Sequence, residues 1–315
     1  MHLRGIDFGH VLDASGARGF FGEGYPHHRW LGPIGLDFTG STFVAKTTTL
    51  YPRTGNMPLR GDLSPRELLP KCIVVKPWKG IALNAVGLSG PGAKTLLDDG
   101  RWQRRTEPFF LSFMSVEESP ADRSDELKAF VRLLEPRLKE FRAPVALQIN
   151  VSCQNTGLHF TNLVQEIHNA LEIASALRIA LVPKISVATP PEDAVAAARH
   201  PACAALCITN TVLFGTMSDR IDWKKLFGSE TSPLAKYGGG GLSGAPLLGL
   251  VFEWLLHARS AGLTIPVNAG GGILSPVDAG LLLAAGADSI FLGSITMLRP
   301  WRMQSVIRYA NAFKK

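Results

Sequence analysis

The stretch "INVSCQNTG" (149–157) places a thiol, Cys153, among asparagines at the point where an apolar run, "APVALQ" (143–148), gives out. A cysteine with polar neighbours at a strand end can act as a general base if nearby cations bring its thiol toward neutrality. Similar chemistry-bearing residues recur at the ends of other apolar runs: Lys46 and Thr47, Asn150, Lys184, Thr209 with Asn210 and Thr211, then Gly270–Gly272, and Gly293 with Ser294. Two lysines at one mouth point to an anionic or electron-accepting partner. Lys184 suits stabilisation of an anionic reduced flavin, and equally a Schiff-base amine. Glycine loops after the last two strands suit a phosphate held by backbone N–H groups. Cys203 and Cys207 in "PACAALC", and Cys72, read as small buried hydrophobes. His27 and His28 lack the third ligand that a metal needs.

The elements that must position these residues alternate. Candidate strands are "HVLDA" (10–14), "TFVAK" (42–46), "FFLSF" (109–113), "VALQIN" (145–150), "LVPKIS" (181–186), "ALCITN" (205–210), "IPVNAG" (265–270) and "SIFLGS" (289–294). Helical patterns lie between them at 125–141, 161–177, 245–262 and 275–286, the last with Ser275 before Pro276 as a cap and first-turn proline. Eight strands in this alternation predict a single-domain α/β protein, a (β/α)8 TIM barrel. No GxGxxG opens the first helix, which disfavours an open doubly wound sheet. The stretch 48–108, rich in Pro, Gly and Arg, predicts an insertion after strand 2 covering the barrel mouth. The loop "YGGGGLSGAPL" (237–247) can close over the same ligand.

The 315 residues, 46% hydrophobic and 19% charged, are enough for one large core. No run of about 18 apolar residues spans a membrane, and the N-terminus has no signal-peptide pattern. Four cysteines without ligand spacing fit a reducing compartment, so a cytoplasmic location is expected. The net charge of +7 is scattered, with no stripe or module for nucleic acid.

In their order along the chain, these motifs resemble the dihydroorotate dehydrogenase family. "INVSCQNTG" is similar to that family's N-x-S-[CS]-P-N active-site loop, with Gln154 standing where the family has proline. "VAKTTTLYPRTGNMPLR" (44–60) resembles its Lys-Thr/Ser segment, and "LNAVGL" (83–88), containing Asn84, Gly87 and Leu88, its substrate loop. "ITNT" (208–211), "GGLSGAPL" (240–247) and the glycine loops follow in the family's order. The resemblance implies an FMN-dependent oxidation of (S)-dihydroorotate to orotate in pyrimidine biosynthesis. Cys153 would remove the C5 proton, the cysteine marking the soluble class. Asn84, Asn150, Asn155, Asn210 and Thr211 would hold the substrate, and Lys46 would touch substrate and flavin. Ala14, Ser15, Thr47, Asn150, Lys184, Thr209 and Gly244 would line the flavin. Gly271, Gly272, Gly293 and Ser294 would take its phosphate. Self-association, or an electron-transfer partner subunit, is expected from the same relatives. A reductase of pyrimidine bases resembling the flavin domain of dihydropyrimidine dehydrogenase would also use a loop cysteine, but this chain has no cysteine-rich iron–sulfur segment. A non-catalytic flavin-binding barrel would have no need of Cys153, Asn150, Asn155 and Lys46 together.

Overall fold

Residues in the central strands are packed from two sides, which is why the strands are apolar runs. In the strand Val145–Asn150 all six residues are buried. Val145, Leu147 and Ile149 join the outer core with Leu127, Phe130, Ile167 and Leu171 of the flanking helices, while Ala146 belongs to a separate inner cluster. Alternation at period two divides one run between two cores.

A computed structural model describes residues 1–151 and 162–313. The chain begins with β1 (His2–Leu3), β2 (Ile6–Asp7), β3 (Val11–Asp13) and α1 (His28–Leu31), followed by β4 (Ile73–Lys76), β5 (Ile81–Asn84) and α2 (Ala93–Asp99). Next come β6 (Phe109–Phe113), α3 (Pro120–Leu134), β7 (Val145–Asn150), α4 (Leu163–Ala174), β8 (Ala180–Ile185) and α5 (Pro191–Ala198). Then follow β9 (Leu206–Ile208), β10 (Val212–Leu213), α6 (Trp223–Phe227), β11 (Gly241–Gly244) and α7 (Pro246–Ser260). The last elements are β12 (Val267–Ala269), α8 (Pro276–Ala284), β13 (Ser289–Leu292), α9 (Ile295–Leu298) and α10 (Met303–Ala312). Among these helices none is long and apolar enough to cross a membrane.

Seven parallel strands run in the order β3-β13-β12-β9-β8-β7-β6. The expected strand at 42–46 fills the remaining gap as a bridged segment rather than a regular ladder. Thr42 donates to Val11 O at 2.8 Å on one side, and Phe110 donates to Phe43 O at 3.0 Å on the other. Bridges Leu12↔Thr42, Val44↔Phe110 and Thr48↔Phe113 continue the closure. The segment meets β3 at its start and β6 only from Phe43 onward, so it forms no long ladder with either. With it the sheet closes as an eight-stave barrel. Two helix starts are set by proline and a serine cap. Ser275 accepts from the Asp278 N–H ahead of α8, and Ser119 from the Asp122 N–H ahead of α3, which therefore starts before residue 125.

Inside the barrel, Leu12, Val44, Phe110, Ala146, Val182, Cys207 and Phe291 form an apolar layer that packs with Met1, Leu3 and Phe8; β12 adds Asn268 at this level, which donates to Ser289 Oγ at 2.7 Å. Two residues further along the same strands stand Ala14, Lys46, Ser112, Gln148, Lys184, Thr209 and Gly293. The period that makes the floor apolar thus delivers a mostly polar layer at the carboxyl ends.

Over that mouth, β4 and β5, which lie between the second stave and β6, meet β10 and β11 of the loop after β9 in an antiparallel sheet of order β10-β11-β5-β4. Gly244 pairs with Ile81 in this sheet. Its φ of +108° is glycine territory, and a Cβ there would lie 2.1 Å from Gly80 O. The variant Gly244→Ala should therefore lose about 3 kcal/mol or more of unfolding free energy in urea titration; an unchanged midpoint would show that the two strands separate freely.

Asp13 ends β3 fully buried, accepting from Ser41 Oγ at 2.8 Å and facing Arg18 Nη1 at 3.3 Å. Burial raises its carboxyl to about 6 from 3.8, against the opposing pull of Arg18, Ser41 and Arg105. A raised acid holds its proton longer in the folded chain, so its contribution to stability falls as pH rises through this window. The gain in stability of Asp13→Asn relative to the native protein should grow by roughly 2–3 kcal/mol between pH about 4 and about 6. A difference independent of pH in urea unfolding would contradict this.

Candidate active site

The carboxyl ends of the staves surround a cavity of about 290 Å³. The first two staves contribute Ala14, Ser15, Lys46 and Thr47, and the insertion contributes Asn84, Gly87 and Leu88. From the opposite side come Asn150, Lys184, Thr209, Asn210 and Thr211, and from the last two staves Gly271, Gly272, Gly293 and Ser294. Gly244 is not in the lining; its neighbours Ser243 and Leu247 are, and Gly244 itself serves the approach of β11 to β5. Cys153 and Asn155 lie outside the described residues.

The amides at the mouth are locked together. Asn210 Nδ2 donates to Asn150 Oδ1 at 2.9 Å, and the Thr211 N–H donates to Asn210 Oδ1 at 3.0 Å. Asn150 is in register with Lys184 on β8. Thr209 Oγ1 accepts from the Val187 N–H at 2.6 Å and donates to Asn210 O at 2.8 Å, which fixes the turn bearing both residues. Thr211 Oγ1 is buried with no hydrogen-bond partner among the described residues. Buried polar atoms are normally satisfied, so an orphan at a cavity wall is compatible with a polar occupant. An amide offers both donor and acceptor, which suits a ring carrying alternating N–H and C=O groups.

Both lysines are more than nine-tenths buried. The Lys46 ammonium donates to Ser89 O and stands 4.7 Å from the Phe20 ring centroid. Lys184 Nζ stands 5.0 Å from the Phe291 centroid. Ring faces and carbonyls soften the cost of burying these cations, and two cations in one cavity favour an electron-rich or anionic occupant.

At the other end the wall is backbone. Gly271 has φ +125° and Gly272 φ +81°; a Cβ on Gly272 would lie 2.8 Å from Leu248 N and 2.9 Å from Gly244 O. The local packing thus requires glycine by itself, and it leaves main chain rather than side chains facing the cavity. A Cβ on Gly293 would lie 2.9 Å from that of Ala14, where β13 passes the end of β3. After Ser294 the short helix α9 begins, the arrangement that holds phosphates in many barrels. Backbone at one end and buried ammonium and amide groups at the other fit a phosphate-bearing, electron-accepting group.

Among the lining residues not predicted as ligand contacts from the sequence are Tyr25, His27 and His28. Tyr25 donates to Gly16 O at 2.6 Å and stacks on His27 with centroids 5.8 Å apart, while His28 meets Tyr25 edge-on at 5.4 Å. Burial pulls both histidines down, His28 to about 4, so this wall is uncharged at neutral pH. The signal was present as the run "YPHH" after a strand end, a place where side chains face the mouth. The remaining described thiols are inert by burial, which pushes Cys207 up to about 11 and Cys203 to about 12.

Comparison with known proteins places this site in a family. Residues 3–309 match the family model for dihydroorotate dehydrogenase. The chain is 29% identical over 299 residues to dihydroorotate dehydrogenase A (fumarate) of Lacticaseibacillus paracasei, covering 90% of this chain and 87% of that one. It is 28% identical over 298 residues to the catalytic subunit of dihydroorotate dehydrogenase B (NAD(+)) of Desulforudis audaxviator, covering 92% and 83%. In fold it resembles the ligand-free DHODH of Eimeria tenella, with a TM-score of 0.68, 18% identity, and coverage of 98% and 85%. Matched from its third residue to near its end, the chain belongs to the dihydroorotate dehydrogenase family.

Proposed function

We propose that this protein oxidises (S)-dihydroorotate to orotate, the ring-oxidation step of pyrimidine biosynthesis, using bound FMN. The observation that carries the reading is the Asn150–Asn210 amide pair, which lines one cavity together with Lys46 and Lys184. Asn84, Asn150, Asn155, Asn210 and Thr211 hold the substrate's carboxylate, carbonyls and ring N–H groups, each amide serving as donor and acceptor. Lys46 neutralises the carboxylate. Cys153 takes the C5 proton, a task that needs its thiol within hydrogen-bond reach of that proton. Ala14, Ser15, Thr47, Lys184 and Thr209 line the flavin, and the backbone of Gly271, Gly272, Gly293 and Ser294 takes its phosphate. When bound, FMN supplies the two-electron acceptor for the hydride that leaves C6. The protein works in the cytoplasm, self-associates or pairs with an electron-transfer subunit, and passes its electrons to a second substrate. The names of the two bacterial relatives, fumarate in one and NAD(+) in the other, make those the first acceptors to screen.

Purified protein should be yellow, and anaerobic dihydroorotate should bleach the flavin band; a yellow protein that stays oxidised would end the substrate assignment. The Cys153→Ala variant should keep its flavin and bleach at least about a hundredfold more slowly, the usual contribution of a general base. An unaltered rate would remove Cys153 from the role. In Asn210→Leu, Asn150 Oδ1 and the Thr211 N–H each lose the partner described above, so KM for dihydroorotate should rise at least about tenfold, with a stability loss of about 1–3 kcal/mol. A native KM would show that the amide pair does not touch substrate.

A further inference from the structure

Ser112 lies on β6 almost completely buried, and the proposed reaction gives it no task. Its Oγ sits 2.9 Å from Thr47 Oγ1, which sits 2.8 Å from Ser15 Oγ, and Ser15 donates to Ala45 O at 3.0 Å. A fourth and longer approach, 3.5 Å, separates Ser112 Oγ from Gln148 Oε1. Counting protons orients this chain. Both ends are carbonyl oxygens, which only accept, and each of the three hydroxyls has one proton to give. Three protons cannot make four links. The link left unmade is the longest, because 3.5 Å is at the limit of a hydrogen bond. Ser15 then donates to Ala45 O, Thr47 to Ser15, and Ser112 to Thr47. The two hydroxyls that line the cavity, Ser15 and Thr47, have given away their protons and turn only lone pairs toward it.

We propose that Ser112 is a positioning residue that fixes Thr47 and Ser15 as hydrogen-bond acceptors, so that the wall formed by the first two staves takes an N–H of a planar heterocycle. The far side of the cavity is complementary. Lys184, on the stave opposite β3, has donors only, so ring carbonyls belong there and the ring N–H belongs against the hydroxyls. The proposal rests on the flavin reading above, in which the heterocycle is the FMN ring. Its N–H is either N3–H, present in both redox states, or N5–H, present only after reduction.

The test loads the whole protein with FMN enriched in 15N at N3 and N5 and in 13C at C2 and C4. NMR spectra of the oxidised and reduced forms are compared for the native protein, Ser112→Ala, Ser112→Thr and Thr47→Val. Ser112→Ala and Thr47→Val should shift an N–H signal, leave the carbonyl carbons in place, and weaken FMN about three- to tenfold, the worth of one hydrogen bond. Ser112→Thr, which keeps the hydroxyl, should restore the native spectrum. A shift at N3 in both states identifies the imide N–H, and one seen only after reduction identifies N5–H. Movement of C2 or C4 with the N–H signals unchanged would mean that the hydroxyls donate, and would overturn the proposal, as would native spectra and affinity in Ser112→Ala and Thr47→Val. Native protein that takes up no FMN would instead sink the flavin reading and this proposal with it, a result distinct from a change confined to the variants. Thr47→Val carries the test should Ser112→Ala fail to fold.

Discussion

A polar, doubly cationic layer can sit at the mouth of this barrel only because a largely apolar layer, completed by the hydrogen-bonded Asn268, lies directly under it. Leu12, Val44, Phe110, Ala146, Val182, Cys207 and Phe291 seal the interior, and Lys46, Ser112, Gln148, Lys184 and Thr209 follow two residues later. Burying ammonium and amide groups is costly unless each is hydrogen-bonded or faces a ring. Strand period supplies the stacking, and closure by the 42–48 segment excludes water from below. Were the barrel open at that stave, Lys46 and Thr47 would lose the backbone contacts that aim them.

The cavity that results is chemically asymmetric. One side presents Asn150, Asn210 and Lys184, another the Ser15 and Thr47 hydroxyls beside Lys46, a third bare backbone, and the fourth an uncharged wall of Tyr25, His27 and His28. Such a surface selects a flat ring with donors and acceptors on opposite edges and an anionic tail. The antiparallel sheet above the mouth, held close by Gly244, limits the approach to that ring. Each feature follows from side chains fixed by the fold before any ligand arrives, which is the preorganisation that catalysis by positioning needs.

Much of this was legible in the residues. The strands at 109–113 and 145–150 match expectation to the residue, because apolar runs bounded by turn signals and packed on both faces leave little freedom in their limits. The placing of Lys46, Asn150, Lys184 and Thr209 around one cavity was also readable, since barrels collect strand-end residues at a single mouth. The second stave was legible as a strand but not as a bridged one, because its irregularity comes from meeting β3 only at Thr42 and β6 only from Phe43 onward. The tract "YGGGGLSG" contains β11, and glycine has so little strand propensity that only its partners β5 and β10 make it extended. The Ser15–Thr47–Ser112 chain joins residues from three staves, a tertiary fact with no local signature. The role proposed for Cys153 rests on its sequence motif.

We propose that one cavity holds a flavin ring and a flat substrate against the position-153 thiol. A crystal structure of the protein with FMN and orotate tests it most directly. Orotate should lie between the isoalloxazine and Cys153, hydrogen-bonded to Asn150 and Asn210. Orotate bound elsewhere, or a Cys153 side chain packed among hydrocarbon away from the ring, would contradict it.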